Sequence, residues 1–159
     1  MARFSATTRN DIVLAVPRER IWAALVDPEL LPRLTPLLRR IEVDGPFWRW
    51  HLTGLSVLGV GITPVFTERM VFYDGRGIGY THAPPPGVVE SAGAEGSYVL
   101  VDVPGGTHLA IELTLTVELP LSRLAAPAVR AVMTATMQRI GERFGANLLH
   151  HLGPDATAG

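Results

Sequence analysis

The sequence predicts an α+β fold in which a curved antiparallel sheet wraps a long C-terminal helix, with two short helices after the first strand. Three observations predict it. Before Pro120, several segments alternate apolar and polar residues with the period of a strand that has one buried face. After Pro120 the period becomes helical and stays so from Ala126 to Leu152. Between Pro17 and Pro36, two proline-bounded apolar segments carry helical spacing.

Ile12 to Val16 reads as a strand closed by Pro17, and Ile21, Trp22 and Leu25 follow at helical spacing. Asp27-Pro28 stops that helix and can start a second, with Asp27 as N-cap and Leu30, Leu31 and Leu34 as its apolar face. Leu38 to Val43 is a strand that runs into the turn Asp44-Gly45-Pro46. Trp48, Trp50 and Leu52 then alternate with Arg49, His51 and Thr53. Val65 to Tyr73 and Ile78 to His82 flank Asp74-Gly75, a strong hairpin signal. Pro84-Pro85-Pro86-Gly87 cannot enter a hydrogen-bonded ladder and must be a loop. Ser97 to Val103 and Thr107 to Leu119 flank the turn Pro104-Gly105-Gly106, and the second of these is the clearest strand in the chain. The final helix is roughly 40 Å long at 1.5 Å per residue, enough to cross a sheet. Val129, Met133, Met137, Ile140, Phe144 and Leu148 form its apolar stripe, and Gly153-Pro154 is its stop signal.

The 159 residues suit one domain, expected over 1–153, with a disordered tail over 154–159. A 47% hydrophobic content against 18% charged fits a large core, or a core with a lined hole in it. A net charge of −1 gives no electrostatic footprint for nucleic acid. There is no cysteine and no lysine, which excludes disulfides, thiolate chemistry, Schiff bases and a phosphate-loop lysine. Nothing near the N-terminus resembles a signal peptide, and no segment reaches the ~20 apolar residues of a membrane helix, so a soluble cytoplasmic chain is expected. The uncharged, glycine-broken stretch from Leu52 to Phe66 is expected to form either a homodimer surface or a mobile flap over a portal.

The order of elements, and the residues that mark it, resemble the START-like (SRPBCC) superfamily with its helix-grip fold. Val13-Leu14-Ala15-Val16-Pro17, the tryptophan-bearing helix that follows and its stop at Asp27-Pro28 are similar to the family's opening. Leu31-Pro32, Pro36 and Arg40-Ile41-Glu42-Val43 continue the likeness, and Gly106-Thr107 resembles the Gly-Thr that opens the last strand in many members. The superfamily includes lipid carriers, plant pollen-allergen and hormone-receptor proteins, and polyketide aromatase/cyclases. The resemblance implies a cavity between sheet and helix that takes a small hydrophobic molecule such as a lipid, isoprenoid or polyketide. An aromatase/cyclase-like enzyme on a polyketide-type substrate is the alternative.

No motif supplies a nucleophile–base pair. His108 and Glu112, four apart on a strand, stand roughly 13 Å apart, and adjacent His150 and His151 diverge on a helix, so no metal and no cofactor are expected. Candidate ligand contacts are therefore the inward-facing residues. Trp48 and Trp50 share one strand face, as core fill or cavity wall. Met133, Met137, Ile140 and Phe144 share the helix stripe, and unbranched methionine suits an adaptable wall. Leu113 lies on the last strand's apolar face, and Tyr80 and Tyr98 offer hydroxyls to the chamber or to solvent. Glu68 lies between Phe66 and Met70, but Val65, Thr67 and Val71 make the opposite face equally apolar, so either face can point inward. Inward, Glu68 would be a buried carboxyl with a raised pKa. Asn147, central on the helix stripe, needs a partner for its amide, from the backbone or from a ligand.

Overall fold

A computed structural model describes residues 1–156. The chain runs β1 (Ala2–Leu14), α1 (Arg18–Leu25), α2 (Leu31–Leu34), β2 (Leu38–Asp44) and β3 (Phe47–Leu52). It continues through β4 (Leu55–Val57), β5 (Val60–Ile62), β6 (Val65–Tyr73), β7 (Gly77–His82), β8 (Ala92–Val103) and β9 (Gly106–Leu119) to α3 (Ala126–Leu152). Seven strands form one antiparallel sheet in the order β1-β9-β8-β7-β6-β3-β2, while β4 and β5 pair separately. The helices α1 and α2 thus carry the chain from one edge of the sheet to the other. The long α3 crosses the sheet as the change of period predicts.

Side chains tie the helices to one another. Arg20 of α1 donates to the Leu152 carbonyl at the end of α3, where an arginine satisfies an otherwise unpaired carbonyl. Asn147 of α3 donates to the Leu34 carbonyl of α2 at 2.9 Å. The Asp27 carboxylate accepts from the backbone N–H of Glu29 and Leu30 and holds the turn that enters α2, but the helix starts later than expected: its N-cap is Leu30, not Asp27, and carries no side-chain cap. Thr107 is fully buried and donates to the Val16 carbonyl at 2.8 Å, which closes the exit of β1 onto the start of β9.

The structure extends the expected strands. The first begins at Ala2 and pairs with β9 over its whole length, with Ala2, Phe4, Ala6 and Thr8 buried. Alternation is present there, but alanine and threonine mark the inner positions and the hydrophobic signal is weak. Likewise β8 begins at Ala92, before the expected Ser97. Its first half is small because neighbouring rings occupy the space: a Cβ on Gly93 would lie 2.5 Å from the His82 ring, and one on Gly96 would lie 2.7 Å from the Tyr80 hydroxyl.

The Leu52–Phe66 stretch is a hairpin whose turn residues Leu58 and Gly59 both have positive φ. Its apolar residues are partnered within the chain. Val57 and Phe66 are buried with Val129 and Met133 of α3, and Leu55, Val60 and Ile62 pack against them. The exposed apolar patch that motivated a dimer surface or flap is therefore mostly covered. Within the tail expected from residue 154, Pro154–Ala156 form a 3-10 turn, and Ala156 is fully buried with its carbonyl accepting from Ala15 N–H at 2.8 Å. Residues 157–159 of that tail lie outside the described residues.

At Gly96 the packing leaves no room for a side chain, because its Cβ would also run into the Glu112 carbonyl. Gly96→Ala is expected to lower stability by about 1–3 kcal/mol, the usual range for overpacking. In a chain of this length that is roughly 2–4 °C in melting temperature per kcal/mol. An unchanged thermal melt would show that Tyr80 and this backbone can move apart freely.

Candidate functional site

The interior is packed at two ends and open between them. One buried cluster joins α1, α2 and the C-terminal half of α3 to the sheet through Leu14, Ile21, Trp48, Leu109, Phe144 and Leu148. The other joins the β4–β5 hairpin and the first half of α3 to β1 and β9 through Phe4, Val117, Val129, Met133 and Met137. Trp50, Leu52 and Leu113 pack against both. Between them lies a cavity of about 160 Å³. This is less than the several hundred Å³ typical of ligand sites, because Trp50, Tyr98, Met137 and Phe144 project into the space. It is still well above the room one water requires.

Most of the expected wall residues meet there. Trp50, Glu68, Tyr80, Tyr98 and Leu113 line the cavity from the sheet, and Met137, Ile140 and Phe144 line it from α3. Register explains the convergence. Trp50, Phe66, Glu68, Tyr80 and Tyr98 all lie on the concave face, since antiparallel neighbours in register present side chains to the same side. The open orientation of β6 is thereby resolved. Phe66, Glu68 and Met70 are buried inward, while Thr67 and Arg49 belong to the opposite face.

Four expected contacts lie elsewhere. Trp48 is buried against Phe72, ring centroids 5.8 Å apart, in an aromatic row that continues to Trp22 of α1. Met70 belongs to the same packed end, and Met133 sits in the other, one helical turn before the wall. Asn147 spends its amide on the Leu34 carbonyl, so it positions α2 rather than facing the cavity. The sequence also left out part of the wall. Thr8 and Asn10 come from the unrecognised half of β1, Thr35 and Pro36 come from the α2–β2 connection, and Leu38 opens β2. Gly141 completes the helix side, because a Cβ there would lie 2.7 Å from the Asn10 amide nitrogen.

The polar groups in this apolar chamber are few. Glu68 is 3% exposed and has no ion-pair partner among the described residues. Burial holds its carboxyl well above the usual carboxylate range, opposed only by the Trp50 indole N–H, which eases the charge. That approach falls short of a formed hydrogen bond, since Trp50 Nε1 and Glu68 Oε2 are both buried without a partner. Tyr80 and Tyr98 stack obliquely at 5.8 Å, and burial with the nearby Glu68 raises both phenols. The Tyr80 hydroxyl donates to the Glu112 carbonyl at 3.1 Å. The Tyr98 hydroxyl takes no part in the hydrogen bonds among the described residues, and Tyr98, though deep in the fold, keeps surface toward the cavity.

A second carboxyl, Glu90, is buried on the other side of the sheet and was not anticipated, because it sits in the loop after Pro86. It accepts from Thr67 N–H and Oγ1, both at 2.8 Å, and pairs with His82 Nε2 at 2.9 Å. Fully partnered, it fastens the 83–91 loop to β6. A wider depression of about 450 Å³ beside this loop is lined by Glu42, Asp44, Arg49 and the three prolines. Among the described residues no group of three His, Cys, Asp or Glu side chains could hold a metal ion, and no helix is long and apolar enough to cross a membrane.

Residues 1–148 match the family described as polyketide cyclase/dehydrase and lipid transport. No curated protein matches the chain. Similar solved structures include a START superfamily protein from Mycobacterium smegmatis, 17% identical with a TM-score of 0.65, which covers 91% of this chain and 95% of its own. An aromatase/cyclase from Streptomyces sp. R1128 is 14% identical with a TM-score of 0.67, covering 92% and 93%. A Thermus thermophilus protein is 18% identical with a TM-score of 0.67, covering 91% and 94%. At these identities the likeness shows the fold.

Glu68 generates a pH-dependent prediction. Its pKa in the folded chain lies above its ordinary 4.5, so folding binds a proton at this site. The resulting stability is complete below that ordinary value and declines as pH rises toward the raised value. The decline is bounded by about 1.4 kcal/mol per pH unit for one proton. Glu68→Gln should melt higher than the parent at pH 8, with the gap closing at pH 4. Parallel melting temperatures across that range would mean that Glu68 ionises freely in the folded chain.

Proposed function

We propose that this chain, which belongs to the polyketide cyclase/dehydrase and lipid transport family, binds a small hydrophobic molecule in the cavity between its sheet and α3. One observation carries this: the concave face and the middle of α3 leave a space of about 160 Å³ walled by aromatic, aliphatic and methionine side chains. Apolar walls with a few convergent polar groups are the usual form of a ligand site. The volume favours a compact ring-sized ligand, as an apolar cavity of roughly 150 Å³ takes benzene or xenon. A lipid or isoprenoid chain would need Met137, Ile140 or Phe144 to swing aside.

One observation favours a second function, an aromatase/cyclase-like activity on a polyketide-type substrate. Glu68 and Tyr98 place two titratable groups together in a low-dielectric chamber. Ionised Glu68 could take a proton from a carbon next to a ketone while the Tyr98 hydroxyl donates to the enolate oxygen. Binding alone requires neither group to change protonation.

Met137 separates an open wall from close-packed core. Met137→Trp should abolish binding of an apolar environment-sensitive dye, and its loss of stability should stay below the roughly 1–3 kcal/mol of an overpacked core. A variant that melts far earlier, from a parent that binds no such dye, would overturn ligand binding here. Chemistry would show instead as exchange of ketone α-hydrogens into heavy water that Glu68→Gln abolishes while dye binding persists.

A further inference from the structure

We infer that one end of the cavity, formed by Glu68, Tyr98 and Trp50, is a subsite for a carbonyl oxygen on an otherwise apolar, uncharged ligand. The inference rests on the cavity being a ligand site and names the ligand's chemistry. Trp50 Nε1 and Glu68 Oε2 are buried without hydrogen-bond partners. Each such group costs roughly 1–3 kcal/mol when left unmet. Phenylalanine and leucine at these positions would pack the same face without that loss. These two unmet groups share the concave face, and Trp50, Glu68 and Tyr98 all border the open volume; the third buried nitrogen without a hydrogen bond among the described residues, Arg18 Nε, lies 2.8 Å from the Asp102 carboxylate.

Donor and acceptor roles define what fits. The indole N–H and the phenol O–H donate, and burial favours the neutral form of the Glu68 carboxyl, in which its O–H is a second hydroxyl donor. A ligand carbonyl oxygen has two lone pairs and no proton, so it can accept from Tyr98 and Glu68 together. The remaining Glu68 oxygen can then settle against the Trp50 N–H, which makes Trp50 a positioning residue. Tyr80 does not compete, since its hydroxyl is held by the Glu112 carbonyl at 3.1 Å. Charge excludes the obvious rival. None of the described residues lining the cavity is basic, so a fatty-acid carboxylate would be desolvated without a cation and placed beside Glu68. The ligand head is neutral.

The test uses size-matched probes on the full chain: indane, 1-indanone and benzoate, each by calorimetric titration. In an unstructured apolar hole the ketone binds more weakly than the hydrocarbon, because its oxygen loses water without replacement. Here 1-indanone should bind about tenfold more tightly than indane, corresponding to two ordinary hydrogen bonds, and benzoate should bind weakest. Tyr98→Phe and Glu68→Leu should each remove most of that preference, read as the ratio of 1-indanone to indane affinity within each variant, whereas Glu68→Gln, which keeps a donor, should retain it. The infrared carbonyl band of bound 1-indanone supplies a readout independent of any variant, and should fall below its frequency in hexane. Equal or tighter binding of indane, or a carbonyl band at its hexane position, overturns the oxygen subsite and leaves cavity binding intact. Failure of both indane and 1-indanone to bind overturns cavity binding itself, and the subsite with it.

Discussion

A single helix laid across a concave sheet meets it closely near its two ends and stands away from it between them, unless side chains fill the gap. In this chain the ends are filled. Val129, Met133 and Met137 anchor the first half of α3, and Phe144, Leu148 and Leu152 anchor the second. The span between them carries Ile140 and Gly141, and the glycine makes room for Asn10 rather than reaching across. Everything distinctive about the interior follows from that spacing. The two clusters hold the sheet and helix at a fixed separation, and each is stabilised by burial at roughly 25 cal/mol per Å² of apolar surface. The middle can therefore stay open without loosening the fold.

The open middle changes the chemistry of what faces it. In a filled core, a carboxyl at position 68 would find a cation or be replaced by an apolar side chain. Here it borders a space instead, and burial raises its pKa by penalising the charge. Glu90 provides the contrast within the same molecule: equally buried, it is met by Thr67, His82 and the more distant Arg49. One carboxyl is a structural clasp for a loop. The other is left unmet, and unmet buried polar groups concentrate where a protein gives up stability for a site.

Long, strongly periodic elements were legible in the sequence because their apolar residues are large. β6 and α3 have the predicted bounds, and the alternation from Leu109 to Leu119 is the inner row of β9. Small residues hid the rest. The inner row of β1 is Ala2, Phe4, Ala6 and Thr8, and the first half of β8 is Ala92-Gly93-Ala94-Glu95-Gly96. The β8 segment is thin because the His82 and Tyr80 rings lie against it, which a single segment cannot reveal. The wall of the cavity was legible wherever a bulky residue sat on a clear stripe, as with Met137 and Phe144. It was not legible at Glu68, where both faces of β6 are apolar in sequence and only the register that sets Glu68 opposite Trp48 and Met70 opposite Tyr80 fixes the direction. Nor could periodicity separate wall from core: Trp48 and Trp50 are equivalent in pattern, and Trp48 is drawn into the Phe72–Trp22 row.

The central claim is that the space between β3, β6, β8 and α3 is an open, mainly apolar cavity. A crystal pressurised with xenon tests it most directly, because xenon enters apolar voids of this size and is seen at once by its scattering. The fold places a xenon atom among Trp50, Tyr98, Met137 and Phe144, with those side chains unmoved. A lattice of otherwise well-defined molecules with no xenon there, and with those side chains closed into mutual contact, would contradict it.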